Sequence, residues 1–440
     1  MKESLFFALS IDITVLFICS SLLFRYAKLS IYHPAPTYLV FHAFTFSVRL
    51  AFLLSGATVF LGQQSDYFSA IENHEIVRAT IMADIGFIAM TIAWILEAHR
   101  KPKSHKLFKS SILIDDSVLK YVSFFTILIG IWGIFSQLYI PFLGKVQSDF
   151  GAWQESSYLA NTQNWVVLSC LILTFQYGFR KPFLFIIGVC LFILAFQGQH
   201  RYRILTPCIF LLFLYLYRQK KNWISLRFTL LILVGVIIFL PLKYVGKLIQ
   251  QGANLSDLIE FSFEYRESLG IGANADFSFL DMYSSILTLV DQHDTFYYGS
   301  TYFTLLLAPI PRPFWEAKPS LMQWMTDIST PSRNLRELGA VATLYGESYA
   351  NFGYLGIIII PFLFAKYSAR WYNSILHAHP QSISLYFYLY FATILVQVYR
   401  DGLNAIFMFL SVYNMPGLFV CFLSLLKRFT NKRLIINQLK

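Results

Sequence analysis

The sequence predicts an all-α integral membrane protein, a polytopic bundle of about 11 transmembrane helices with one large external loop. Composition and run length carry this prediction. Of the 440 residues, 56% are hydrophobic and only 13% are charged, and a soluble chain of this length cannot bury so much apolar surface. Runs such as YVSFFTILIGIWGIFSQLYIPFLG (121–144) exceed the ~20 apolar residues that cross a hydrocarbon core.

Apolar runs divide the chain into predicted spans at residues 5–24, 37–61, 77–96, 121–144, 164–179, 183–197, 204–217, 226–246, 341–365, 384–398 and 403–426. Residues 1–246 therefore hold the first eight spans and residues 247–340 form the external loop. Residues 341–440 hold the last three spans and a tail, all in one integrated domain. The first run lacks a small-residue cleavage site, which predicts a retained span.

The connecting segments alternate in charge and predict the topology. One side receives 21 of the 35 Lys and Arg residues and the other side receives 13, with Arg49 inside a span. Cytoplasmic segments carry the excess of Lys and Arg, so the N-terminus is predicted outside and the C-terminus in the cytoplasm. The net charge of +11 is then mostly a topology signal and does not indicate a nucleic-acid partner.

Two predicted external turns nevertheless contain arginines. The turn GQHRYR (198–203) lies between two short apolar runs, 183–197 and 204–217, which together are too short for two full crossings. The turn is therefore predicted below the outer surface, with Arg201 and Arg203 at a helix amino end that favours an anion. The turn QVYRDGL (397–403) also follows a short apolar run, and it contains Arg400 and Asp401. As alternatives, the first two arginines extend to lipid headgroups, and Arg400 simply pairs with Asp401.

Three further charges, Asp12, Arg49 and Asp84, fall inside predicted spans. Ionisable groups in a membrane are costly and pair with one another. We expect one structural ion cluster that joins the first three spans, with a proton or ion relay as the alternative.

The external loop is predicted to contain a rigid, aromatic and cationic segment, APIPRPFWEAKP. Its prolines fix the backbone around Arg312, Trp315 and Lys318, which suits a sugar-phosphate ligand. Glu347 follows at the start of the ninth span and is the best-placed candidate base. No nucleotide-binding or metal-binding motif is evident, so we expect no cofactor and no metal.

These segments resemble a known family. YGSTYFTLLLAPIPRPFWEAKPS followed by TLYGESYANFGYLG is similar to the bacterial O-antigen and oligosaccharide repeat-unit polymerases (Wzy-type), and GQHRYR and YRDGL resemble two turns of that family. The resemblance covers residues 196–405 by motif. The R-x10-G pattern of some members' loops is absent, because Arg336 and Gly346 are one residue short.

The resemblance implies a glycosyltransferase of the bacterial inner membrane whose active site faces the exterior. Its substrates would be undecaprenyl-diphosphate-linked oligosaccharides, and a chain-length regulator and a flippase would be its protein partners. The implied diphosphate-binding residues are Arg201, Arg203, Arg312, Lys318 and Arg400. The candidates for moving the acceptor proton are Glu347, Asp401 and His200, and those for stacking on the glycan are Trp315 and Tyr298. A neutral structural histidine is the alternative for His200.

Two other functions fit the same layout. An O-antigen ligase would transfer the finished chain to a lipid A core, and the IPRPFWEAKP segment favours polymerase over ligase. A transporter or flippase of lipid-linked sugar would show inverted repeats, and the sequence contains no internal duplication.

Overall fold

The computed structural model describes residues 2–56, 71–100, 112–137, 162–196, 202–227, 229–230, 279–307, 315, 318, 323–330, 335, 341–376 and 378–438. Within these residues the regular structure is helical, and an isolated β-bridge joins Leu113 and Ser382. The predicted all-α class is confirmed. The eighth predicted span and the polar first part of the loop, through residue 278, lie almost wholly outside the described residues.

The described helices, numbered in chain order, are α1 Lys2–Tyr26, α2 Pro34–Leu54, α3 Asn73–His99, α4 Asp116–Gln137, α5 Trp165–Tyr177, α6 Lys181–Phe196, α7 Tyr202–Arg218, α8 Phe279–His293, α9 Ser300–Leu307, α10 Gln323–Asp327, α11 Thr343–Ile375, α12 Ile383–Thr393, α13 Leu395–Asp401, α14 Asn404–Tyr413 and α15 Met415–Gln438.

Five of these helices, α1 to α4 and α11, are long and apolar enough to cross a membrane. The pair α14 and α15, bent by 72°, adds a sixth if it counts as one broken span. Large apolar side chains on α1 point outward, and Phe6 and Phe17 are 64% and 72% exposed. Such surfaces are compatible with a membrane protein, because lipid and not water then covers them.

The chain divides into two compact units, and the first contains residues 1–102, 265–373 and 394–407. Helix α1 packs along α3, and α8 packs against α3 as well. Aromatic side chains fill the interior, where Tyr38 lies with its ring 4.9 Å from Tyr399 and 6.0 Å from Trp94. The interior of this unit is therefore rich in groups that are apolar around their rings but carry a polar atom that needs a partner.

Helix α8 lies within the segment predicted as an external loop, yet ten of its residues are buried. Its apolar residues Leu280, Tyr283, Leu287 and Val290 recur at helical spacing and form one face. This amphipathic pattern explains why the segment packs into the first unit.

The second unit contains residues 103–264, 374–393 and 408–440. Helix α5 packs against α4, α6 and α7, and α15 packs against α4. Asp115 precedes α4 and caps it, because its Oδ1 accepts hydrogen bonds from the backbone N–H of Val118 at 3.0 Å and from the hydroxyl of Ser117 at 2.6 Å. The same oxygen is 2.9 Å from Lys427 Nζ on α15. Together these donors lower the pKa of Asp115 to about 2.

Candidate functional site

Helix α11 is broken near its amino end. Phe352 (φ −139°, ψ 15°) and Gly353 (φ 59°, ψ −143°) leave the helical conformation. The Gly353 conformation is strained for any residue with a Cβ, which explains a glycine there. The break separates a buried amino-terminal part, residues 343–351, from the apolar remainder of the helix.

Asn351 ties the segment YGST (298–301) to this break. Its Nδ2 donates to Thr301 Oγ1 at 2.7 Å and to the Glu347 carbonyl oxygen at 2.8 Å, and its Oδ1 accepts from Gly299 N–H at 2.9 Å. The backbone N–H of Tyr298 donates to the Asn351 carbonyl at 3.0 Å. A single buried amide therefore fixes the turn that precedes α9.

Glu347, one helical turn before Asn351, ties down the turn between α13 and α14. Its carboxylate is fully buried and accepts hydrogen bonds from the Leu403 N–H at 2.6 Å and from Asn404 Nδ2 at 2.7 Å. Gly402 (φ +84°) lies directly against the carboxylate, so a Cβ at this position would collide with it. The turn thus encloses the Glu347 carboxylate, which satisfies the backbone N–H of Leu403.

The turn held by Glu347 presents Arg400 and Asp401. Arg400 Nε is 3.3 Å from Asp401 Oδ1, and the Arg400 guanidinium lies 5.4 Å from the centroid of the Phe279 ring. The two side chains are 37% and 29% exposed. Burial of part of the Asp401 side chain raises its pKa, and the neighbouring Arg400 acts in the opposite direction.

The turn bound by Asn351 presents an aromatic ring, that of Tyr298. Tyr298 adopts a left-handed conformation (φ +46°) and is 78% exposed. Two other predicted residues, Trp315 and Lys318, lie in the same unit and are joined by a hydrogen bond from the Lys318 N–H to the Trp315 carbonyl at 3.2 Å. Trp315 is 37% exposed and Lys318 is half-buried.

Arg203 lies in the second unit, on the first turn of α7, and is 9% exposed. It lines a small recess in the surface of this unit. Four aromatic residues also line this recess: Tyr202, Tyr390, Phe409 and Tyr413.

The remaining predicted residues, His200, Arg201 and Arg312, lie outside the described residues. The assignment of Arg201 and Arg312 to diphosphate binding, and of His200 to proton transfer, therefore stays a prediction.

The charges predicted to lie inside the first three spans form two groups. Asp12 and Asp84 meet at His42, a residue that the sequence did not single out, and its Nε2 is 2.9 Å and 3.5 Å from their oxygens. The expectation that Arg49 shares this cluster is wrong. Arg49 is fully buried and makes a bidentate contact with Asp281 of α8, at 3.1 Å from Nε and 2.6 Å from Nη2.

Sequence reasoning also missed Asn351 and Asn404, which hold the two turns. The signal for Asn351 was its position two residues before Gly353, where a buried helix ends and its last carbonyls need partners.

No protein-family model, curated protein or solved structure matches this chain. The geometry of these side chains is therefore the basis for assigning a function.

Proposed function

We propose that the protein joins undecaprenyl-diphosphate-linked oligosaccharide repeat units into O-antigen or a related surface polysaccharide. The proposal places the reaction at the external face of the bacterial inner membrane and includes the eleven spans, the external N-terminus and the cytoplasmic C-terminus predicted from the sequence.

One observation carries the proposal. Three segments that resemble the polymerases, near residues 299, 350 and 400, are tied together within the first unit. Glu347 and Asn351 are four residues apart, so they share one face of α11. One binds the turn that contains Arg400 and Asp401, and the other binds the turn that contains Tyr298. This shared buried framework supports the assignment of the three segments to one site.

The proposed reaction is a glycosyl transfer. The acceptor sugar's hydroxyl oxygen forms a bond to the donor's anomeric carbon, the bond from that carbon to the diphosphate oxygen breaks, and the diphosphate leaves with the bonding electrons. Negative charge grows on the diphosphate in the transition state, and a fixed guanidinium in a partly dry site stabilises it. We assign this role to Arg400, with Arg201, Arg203, Arg312 and Lys318 as the further predicted cations. In the proposal no metal takes part in the transfer.

Exposure distinguishes the two carboxylates. Asp401 is 29% exposed beside Arg400 and can accept the proton that the acceptor hydroxyl loses. Glu347 is fully buried and bound to the turn, which supports a role as a positioning residue. His200 stays a further candidate for the proton transfer. The exposed rings of Tyr298 and Trp315 are suited to stack on sugar C–H faces.

The test is reconstitution into proteoliposomes with lipid-linked repeat units as the sole sugar source. We expect the units to lengthen into a ladder with no nucleotide sugar present. Arg400→Ala should abolish the ladder, whereas Arg25→Ala, which removes an exposed arginine from the end of α1, should leave it intact.

Other outcomes overturn the proposal. Transfer of preformed chains to a lipid A core without lengthening would identify a ligase. Movement of lipid-linked sugar across the bilayer without lengthening would identify a transporter.

A further inference from the structure

Three ionisable side chains meet inside the first unit, one each from α1, α2 and α3. Asp12 and His42 are fully buried, and Asp84 is 3% exposed. His42 Nε2 lies 2.9 Å from Asp12 Oδ1 and 3.5 Å from Asp84 Oδ1. One donor atom from each residue lies within 4.8 Å of the other two. The three side chains therefore point toward one common position.

The burial of the Asp84 carboxylate is not compensated by hydrogen bonds from the described residues. Both of its carboxylate oxygens are buried, and neither accepts a hydrogen bond within the part of the chain that the structure describes. A buried carboxylate is strongly unfavourable unless a positive charge compensates it. Arg49, the nearby intramembrane cation predicted to compensate it, is bound to Asp281 instead.

Two of the three spacings between donor atoms, those from His42 Nε2, fit a coordinated ion. Oxygen and nitrogen ligands lie about 2.0–2.2 Å from a transition-metal ion, so adjacent ligands are about 3.0 Å apart in octahedral and about 3.4 Å apart in tetrahedral geometry. The distances of 2.9 Å and 3.5 Å from His42 Nε2 to the two carboxylates bracket these values.

The surrounding side chains orient the same groups. His42 Nδ1 is 3.0 Å from the Tyr38 hydroxyl, which in turn hydrogen-bonds Tyr345, and Ser47 donates to the other oxygen of Asp12. Histidines that bind metal through one ring nitrogen usually donate the N–H of the other nitrogen to a fixed partner. Tyr38 supplies such a partner here.

We propose that Asp12, His42 and Asp84 bind one divalent transition-metal ion inside the helical bundle. Two carboxylates and a neutral imidazole carry a charge of −2, which a divalent cation cancels. The imidazole favours a transition metal over Mg²⁺ or Ca²⁺, which prefer oxygen ligands. The ion binds the Nε2 lone pair, so His42 keeps its proton on Nδ1 and donates it to Tyr38. Its role is structural, because it joins α1, α2 and α3, and the proposed glycosyl transfer has no step that uses it.

The first test measures metal content. The protein is produced in medium supplemented with Zn²⁺, Mn²⁺ or Co²⁺, purified through a tag without histidines, and dialysed against EDTA. Because the site is enclosed, we expect about one retained ion per chain by mass spectrometry, and the Co²⁺ form should show visible d–d absorption. A wild-type protein without retained metal in all three media overturns the proposal.

Variants locate the ion. Asp84→Asn and Asp12→Asn should lose it, and Tyr38→Phe should lower the affinity by about 10- to 100-fold. Glu75→Gln is the control, because Glu75 is a buried carboxylate on the same helix α3 that accepts a hydrogen bond from Thr288. Equal metal content in Asp84→Asn and wild type would show an adventitious ion only. If Asp84→Asn fails to fold, the Co²⁺ spectrum of the wild type and the affinity of Tyr38→Phe decide the question.

Discussion

Glu347 and Asn404 are 57 residues apart in the chain, and the Asn404 side chain donates a 2.7 Å hydrogen bond to the buried Glu347 carboxylate. The other carboxylate oxygen accepts from the Leu403 backbone at 2.6 Å. A carboxylate can accept both bonds at once, whereas an amide can accept through only one of its two terminal atoms. The site therefore requires an acid at this position for a reason that involves no proton transfer.

Glu347→Gln tests this explanation. The amide would turn its NH2 group toward one of the two donors, leave that donor unsatisfied and destabilise the protein by about 1–3 kcal/mol. Thermal unfolding in detergent measures this loss, and Glu3→Gln, at an exposed position of α1, is the control. If Glu347 were solely a base, the substitution would abolish polymer formation and leave the unfolding temperature unchanged.

Asn351→Ala tests the second tie. It removes the partner of the part-buried Gly299 N–H and two donated hydrogen bonds, so we expect a loss of stability of about 1–3 kcal/mol. The turn around Tyr298 should then become accessible to proteases. Asn373→Ala removes an amide from the far end of α11, where it donates to the Glu97 carbonyl at 3.3 Å, and should not expose that turn. If Asn351→Ala were cleaved no faster than wild type, the conclusion that Asn351 holds the turn around Tyr298 would be contradicted.

The sequence predicted the helical class and the burial of Asp12 and Asp84, because hydropathy and the cost of membrane charge act within each span. It did not predict the pairing of Arg49 with Asp281, since the partners are 232 residues apart. Long-range pairing depends on how helices pack, and one sequence carries no direct record of packing. The amphipathic pattern of α8 was the available signal, but its position between polar segments favoured a loop.

For the candidate site, the sequence predicted the charged residues but not the long-range hydrogen bonds that hold them. Local composition pointed to Arg400, Asp401 and Glu347, because charged residues next to apolar runs are conspicuous. The roles of Glu347 and Asn351 as ties depend on the left-handed turns at Gly402 and Gly299 and on partners about 50 residues away. Such relationships come from the folded chain and not from any local pattern.

The Arg49–Asp281 pair gives a prediction about stability in the first unit. Arg49→Met or Asp281→Leu alone would leave a buried charge without its partner and should cost about 3–5 kcal/mol. The double variant Arg49→Met/Asp281→Leu removes both charges and should recover most of that loss. Denaturation of the four proteins forms a double-mutant cycle. Additive losses in the double variant would show that the two side chains do not depend on each other.

The cap formed by Asp115 predicts a dependence on pH in the second unit. Its folded pKa of about 2 lies below the ordinary value of 3.8 for an aspartate, so the cap contributes its full stability above about pH 4. This contribution falls as the pH drops toward 2, because the unfolded chain then binds the proton more readily than the folded chain does. The difference in unfolding temperature between wild type and Asp115→Asn should therefore shrink between pH 4 and pH 2. A constant difference over this range would contradict the assignment.

Arg400 gives the prediction closest to the proposed chemistry. If its guanidinium stabilises the departing diphosphate, Arg400→Ala should lower the polymerisation rate by about 10²- to 10³-fold while the unfolding temperature changes little, since the side chain is 37% exposed. Arg400→Lys should recover only part of the rate, because an ammonium group cannot form two parallel hydrogen bonds to phosphate oxygens.

Asp401→Asn tests the role of the carboxylate separately from that of Arg400. It should lower the rate if the carboxylate accepts the proton, but it should raise the affinity for the anionic donor, because the competing charge beside Arg400 is gone. Measuring kcat and KM for lipid-linked donor distinguishes these effects, and an unchanged kcat and KM in Arg400→Ala would remove Arg400 from the diphosphate site.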